Sequence, residues 1–145
     1  MFLDESGFRL GSPQRYGWAP RGQKLPGFEV CGAWTTMTMI GAVALDGFRG
    51  FMTIESGTSS EVFLAFVQQQ LVQHLRPDDI VVMDNLQAHK NPDVLACIRS
   101  ARASALFLPP YSPEWNPIEQ VWSKMKGQIR RLETLTRETF DDAVA

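Results

Sequence analysis

The hydrophobic period of this chain changes at Gly57, and that change limits it to a mixed α/β architecture. Before Gly57 the pattern is that of strands. Phe2, Asp4, Ser6 and Phe8 alternate with Leu3, Glu5 and Gly7. Residues 15–18 read as a second short strand, followed by a turn at Ala19-Pro20-Arg21-Gly22. Residues 29–46 read as one long strand, or two with a bend near Gly41; Asp46-Gly47 is a tight-turn signal, and Phe48 to Ile54 returns. After Gly57 the period lengthens. Val62, Phe63, Phe66, Val67, Leu71 and Leu75 recur at helical spacing, with Thr58, Ser59 or Ser60 available as a cap and Pro77 as a stop. Ile80 to Met83 and Ala105 to Leu108 are short apolar runs of the kind buried in a parallel sheet, and Pro92 opens a helix between them that carries Val94, Leu95 and Ile98. Asn116-Pro117 opens another, with Ile118, Trp122, Met125 and Ile129 as its apolar stripe, and Thr134 begins a last amphipathic helix. The expected fold is a mixed sheet with an antiparallel front, two strands joined through helical crossovers, and helices on the faces.

The length of 145 residues fits a single domain over 1–145, and 44% hydrophobic with 21% charged residues is an ordinary globular profile. Cys31 and Cys97 form no CxxC pair and read as isolated thiols in a reducing compartment. No signal peptide is visible, because Asp4, Glu5 and Arg9 interrupt the first apolar stretch; Val30 to Leu45 is too short and too rich in threonine to span a membrane. A cytoplasmic protein without a membrane partner is expected. The net charge of -2 does not by itself point to nucleic acid, but its distribution is uneven. Arg9, Arg15, Arg21 and Lys24 form one basic stretch, and Lys124, Lys126, Arg130 and Arg131 form another. Each reads either as a solvated face or as a phosphate-contacting surface.

Three acidic residues stand out by position. Asp4 lies inside an apolar strand and Asp84 ends another, where a carboxylate is costly unless it is paired or binds a cation. The crevice beyond the carboxyl ends of such strands is the usual ligand site of an open α/β sheet. Each has a purely structural alternative: a salt bridge for Asp4, and a cap on the following turn for Asp84. Glu119 falls three residues after Asn116, the spacing of a capping box, which alone accounts for a glutamate there. It also lies about 100° around the helix from Ile118, at the margin of the buried face. Three carboxylates around one crevice would suit magnesium or manganese. Two such ions about 4 Å apart would serve phosphodiester chemistry by activating the attacking oxygen and stabilising the leaving one.

Four segments carry a resemblance: Phe-Leu-Asp-Glu-Ser-Gly-Phe at 2–8, Gly-Trp-Ala-Pro-Arg-Gly at 17–22, Val-Met-Asp-Asn-Leu-Gln-Ala-His-Lys at 82–90, and Leu-Pro-Pro-Tyr-Ser-Pro-Glu-Trp-Asn-Pro-Ile-Glu-Gln-Val-Trp at 108–122. The chain resembles the DDE superfamily endonuclease domain of Tc1/mariner-related elements, and most closely the bacterial IS630-type transposases. The resemblance covers almost the whole chain, and the proline-rich approach to Glu119 is its most specific part. It implies an RNase H-like fold. It also implies that Asp4, Asp84 and Glu119 are the catalytic metal ligands, with 34 residues between the last two, as is typical of the group. Glu5 points to the other face of the strand by the two-residue period and is set aside as a ligand. Asn85 and His89 match the motif after the second aspartate; His89 has either a structural role at the turn or contact with DNA or the leaving group. Tyr111 and Trp115 are expected to shape the approach, and Glu114-Trp115 departs from the Asp-Leu common in the family. Arg21, Lys24, Lys124, Lys126 and Arg130 are candidates for contact with DNA or a second subunit, and Trp18 for packing.

The implied activity is strand cleavage and strand transfer on double-stranded DNA at transposon ends and target. It would use two Mg2+ or Mn2+ ions, in a homodimer, in a bacterial cytoplasm at the nucleoid. No helix-turn-helix pattern precedes the first catalytic strand, so end recognition is expected to come from a separate domain. Two other readings stay open: a different RNase H-like nuclease, such as one acting on RNA:DNA hybrids, and a truncated transposase remnant that has lost independent activity.

Overall fold

Alternation of side chains along residues 2–9 gives a strand with two different faces, and both find cover in the tertiary structure. The computed structural model describes residues 1–10, 18–24, 35–110, 112–132 and 136–144. Strand β1 (Phe2–Arg9) is the middle strand of a five-stranded sheet of order β3-β2-β1-β4-β5, with β2 (Thr36–Ala44), β3 (Gly47–Glu55), β4 (Ile80–Met83) and β5 (Ser104–Phe107). β1, β2 and β3 are antiparallel, while β1–β4 and β4–β5 are parallel. The expected antiparallel front and helical crossovers are both present. β5 is an edge strand and not the fully buried one its apolar sequence suggests: Ala105 and Phe107 pack on the back core beside α2, while Leu106 on the other face is 54% exposed. Residues 15–17 of the predicted strand over 15–18, the first part of the strand over 29–46, Cys31 and the helix start at Thr134 lie outside the described residues.

Between β3 and β4 the chain runs through α1 (Ser60–Phe66), a wide turn of π geometry (Val67–Leu71) and a tighter 3-10 turn (Val72–His74). The predicted single helix therefore changes pitch twice. Ser59 caps it by accepting from the Val62 amide at 3.3 Å. Asn91 caps α2 (Pro92–Ser100) through the Asp93 amide at 2.9 Å. Helix α3 (Ile118–Arg131) follows β5 and packs on β1. Helix α4 (Arg137–Val144) is capped by Thr136 and Thr139, each side chain accepting from the other's backbone amide. No helix among the described residues is long and apolar enough to cross a membrane.

The sheet separates two cores. Behind it, Leu3, Ile40 and Met83 meet Phe63, Phe66 and Val67 of the first helical segment and Val94 and Ile98 of α2. In front, Phe8, Met37 and Met39 meet Ile118, Trp122 and Ile129 of α3 and Phe140 of α4. The Phe8 and Phe140 rings lie 5.6 Å apart.

Two glycines set the geometry of the front. Gly47 takes a φ of +121°, which closes the β2–β3 hairpin after Leu45-Asp46. Gly41 pairs with Asp4 across β1–β2, and a Cβ there would stand 2.9 Å from the buried ring edge of Trp122. The missing side chain thus seats Trp122 and brings α3 against the sheet. Gly41→Val is expected to cost about 1–3 kcal/mol by overpacking, read as a lower denaturant midpoint at unchanged slope. An unchanged midpoint would contradict this account.

Candidate active site

Parallel pairing brings the first two carboxylates together. Phe2 of β1 stands opposite Val82 of β4. Two residues further along each strand, on the same face, come Asp4 and Asp84. Asp4 is only 6% exposed, and its Oδ2 is buried with no hydrogen-bond partner. Burial, reinforced by the nearby Glu119 and Asp84 charges, pushes its pKa up to about 6, against the pull of the Glu5 backbone and His89. Asp84 follows the last residue of β4. Its Oδ1 accepts from the Leu86 amide at 3.0 Å and lies 2.7 Å from His89 Nδ1. Burial raises its pKa, but the contacts with His89 and the Leu86 amide outweigh that and hold it below the usual value. The turn-capping alternative for Asp84 is therefore realised, alongside a position at the cleft.

Glu119 is delivered by α3. The capping box expected from its spacing is not formed. The Asn116 amide, which such a glutamate would accept from, already donates to the Pro113 carbonyl at 3.0 Å, and Asn116 makes no side-chain cap. The Glu119 carboxylate is exposed, has no ion-pair or hydrogen-bond partner among the described residues, and lines the same cleft as Asp4 and Asp84.

This cleft has a volume of about 500 Å3. Asp4, Asp84, Asn85, Leu86, Asn116 and Glu119 line it, with Leu108, Pro109, Pro110, Ser112 and Pro113 as one wall. The prolines fix that wall, because their φ angles are locked and they cannot extend β5. Asn116 is the lining residue that sequence reasoning took only for a cap. It is 5% exposed, and its Oδ1 is buried and unpartnered. Its position inside the proline-rich motif is the one sequence signal that marks it.

The remaining candidates divide. Lys126 lies two turns beyond Glu119 on α3 and is half-buried; burial lowers its pKa, the Arg130 charge adds to that, and the Glu119 and Asp4 charges oppose it. Arg130 reaches over the Phe8 ring, with 5.7 Å from its guanidinium carbon to the ring centre. Lys124 is exposed and does not line the cleft. Arg21 and Lys24 are exposed around a turn closed by the Gln23 amide on the Pro20 carbonyl at 3.0 Å, and they too stand apart from the cleft. Trp18, expected to pack, is 99% exposed. Trp115 is exposed and outside the lining, and Tyr111 lies outside the described residues. His89 has no exposed surface and its Nδ1 lies beside Asp84 Oδ1. Burial pulls its pKa down, but the Asp84 and Glu5 carboxylates override this and raise it to about 9.

The donor set fits a hard divalent cation, since it consists of carboxylate oxygens with the Asn116 amide beside them. The unpartnered Oδ2 of Asp4 supports the same fit. Among the described residues no three acidic, histidine or cysteine side chains close to a single metal-binding point. The three carboxylates nonetheless line one cleft.

Comparison with solved structures places this architecture. The Mos1 transposase paired-end complex with left transposon end aligns at TM-score 0.78 and 15% identity, over 99% of this chain and 45% of that one. The Mos1 mariner paired-end complex with Mn aligns at TM-score 0.76 and 16% identity, over 99% and 46%. A simian T-cell lymphotropic virus intasome, in complex with a PP2A regulatory subunit, aligns at TM-score 0.60 and 10% identity, over 99% and 46%. The chain thus spans less than half the length of these matched chains. Comparison with curated proteins gives no match. The sheet order and its helices are the RNase H-like fold, as in the Mos1 transposase. The DDE superfamily endonuclease profile matches residues 1–141, and the chain belongs to that family.

Proposed function

We propose that this chain is the catalytic domain of an IS630-type transposase, which cleaves and rejoins DNA at phosphodiester bonds, with Asp4, Asp84 and Glu119 as its metal ligands. One observation carries the reading: carboxylates from the middle of β1, the end of β4 and the first turn of α3 line one cleft, and the most buried of them, Asp4, has an unpartnered oxygen. Mg2+ or Mn2+ bound there supplies activation of the attacking oxygen and stabilisation of the leaving one. The chain's own residues arrange the rest. β1 and β4 hold Asp4 and Asp84 side by side on a rigid sheet, which keeps their spacing fixed. The proline wall confines the approach to one side. Lys126 and Arg130 run from the cleft along α3 and offer cations to a phosphate backbone.

The proposed substrate is double-stranded DNA at element ends and target, engaged by a dimer and supplemented by a separate end-recognition domain. Mos1 complexes with transposon-end DNA and with Mn support this reading by analogy of fold. Incubation of the protein with supercoiled and linear duplex DNA tests it. Nicking that needs Mg2+ or Mn2+ and stops with chelator is expected. Preferential cleavage of an RNA:DNA hybrid would move the assignment to another RNase H-like nuclease. A protein that neither cleaves nor binds Mn2+ would be a transposase remnant.

A further inference from the structure

We propose that Glu5 and His89 form a buried positioning pair that holds Asp84 from behind, so that the back of β1 serves the site on its front. The proposal rests on the reading of Asp84 as a cation ligand. His89 sits in the 3-10 turn Ala88–Lys90 and has no exposed surface. Its Nδ1 lies 2.7 Å from Asp84 Oδ1, and its Nε2 lies 3.7 Å from Glu5 Oε1. Its ring packs on Phe63 of α1, with centroids 4.3 Å apart. The imidazole is therefore fixed on three sides, although neither nitrogen meets its carboxylate in linear hydrogen-bond geometry.

The arrangement gives each Asp84 oxygen a separate task. Oδ1 is taken from behind by His89 and the Leu86 amide, which leaves the other oxygen for the cleft that Asp84 lines. Glu5 fits the same scheme. It follows Asp4 on β1 and points the opposite way, into the back core, where its Oε1 is buried without a hydrogen-bond partner. A carboxylate in that position is costly to burial. A histidine needed only to pack against Phe63 requires no such neighbour. Ligand-orienting residues of this kind typically change metal affinity by about 10–100-fold when removed.

Mn2+ titration calorimetry on the whole chain tests the pair, with metal-free thermal melting to establish folding. Glu5→Gln keeps the side chain's shape and is expected to weaken Mn2+ binding about tenfold. His89→Phe keeps the stack on Phe63 and is expected to weaken it by about 10–100-fold. The double variant is expected to bind no more weakly than His89→Phe, because Glu5 acts only through the imidazole. Folded single variants with wild-type affinity overturn the proposal, and so do losses that multiply in the double variant. If His89→Phe does not fold, Glu5→Gln decides alone, and wild-type affinity in that folded protein overturns the pair. A wild-type protein that binds no Mn2+ removes both the pair and the reading of Asp84, and is recognised because the unmodified chain is itself silent.

Discussion

Glu119→Ala is expected to lower metal-dependent DNA nicking by about 1,000-fold while leaving the fold and DNA binding intact. The magnitude follows from losing about 4 kcal/mol of the charge stabilisation that a correctly held cation provides. The selectivity follows from this structure. The Glu119 carboxylate is exposed, makes no hydrogen bond or ion pair among the described residues and does not cap its helix. Removing it should therefore change stability by no more than about 0.5 kcal/mol, as for other surface positions. Asp84→Ala is expected to abolish nicking as well, but it also frees the Leu86 amide and uncovers His89, so its effect mixes chemistry with structure. Nicking rates, melting temperatures and salt-dependent DNA affinities, measured on both variants, separate the two. Nicking by Glu119→Ala within tenfold of wild type, or by Asp84→Ala at any substantial rate, would remove these residues from the metal site.

Asp4→Asn is expected to abolish nicking and yet make the metal-free protein more stable at neutral pH. Asp4 is almost fully buried, lacks a partner for Oδ2 and faces two other carboxylates, and its pKa is pushed up to about 6 from 3.8. A carboxyl whose folded pKa lies above its unfolded value favours folding while it is protonated. Between about pH 4 and pH 6 the native state holds a proton that the unfolded chain has lost, so stability falls as pH rises through this window and stays low above it. The loss is at most about 3 kcal/mol. Asparagine has the shape without the charge and should recover about 1–3 kcal/mol of this at pH 7.5, or roughly 3–9 °C in melting temperature for a chain of this size. Added Mn2+ should raise the melting temperature of the wild type and not that of Asp4→Asn, since a cation that binds only the native state stabilises it. A destabilised Asp4→Asn at pH 7.5 without metal would mean that the carboxylate is held by contacts that this structure does not contain.

These two carboxylates mark how far the residue pattern alone could be read. Strand β1, the two-faced sheet, the start of α2 at Pro92 and the apolar stripe of α3 follow from repeats of two and 3.6 residues and from the local preference of proline for a first helical turn. The placement of Asp4 and Glu5 on opposite faces of β1 follows from the same period. What misled was also local. The spacing from Asn116 to Glu119 is that of a capping box, yet the Pro113 carbonyl takes the amide that such a box would use. The apolar run in β5 reads as buried, yet an edge position leaves Leu106 in solvent.

The sequence by itself determined which residues are acidic, which face of its own element each occupies, and that helices and strands alternate after Gly57. These properties depend on neighbours within a few residues. The tertiary structure alone decided that Asp4 and Asp84 are adjacent, that Gly41 seats Trp122 and so brings Glu119 over the cleft, and that Glu5 meets His89 behind it. Each of these joins segments far apart in the chain. Their distances are set by strand register and by the close packing of large side chains, which no local period encodes.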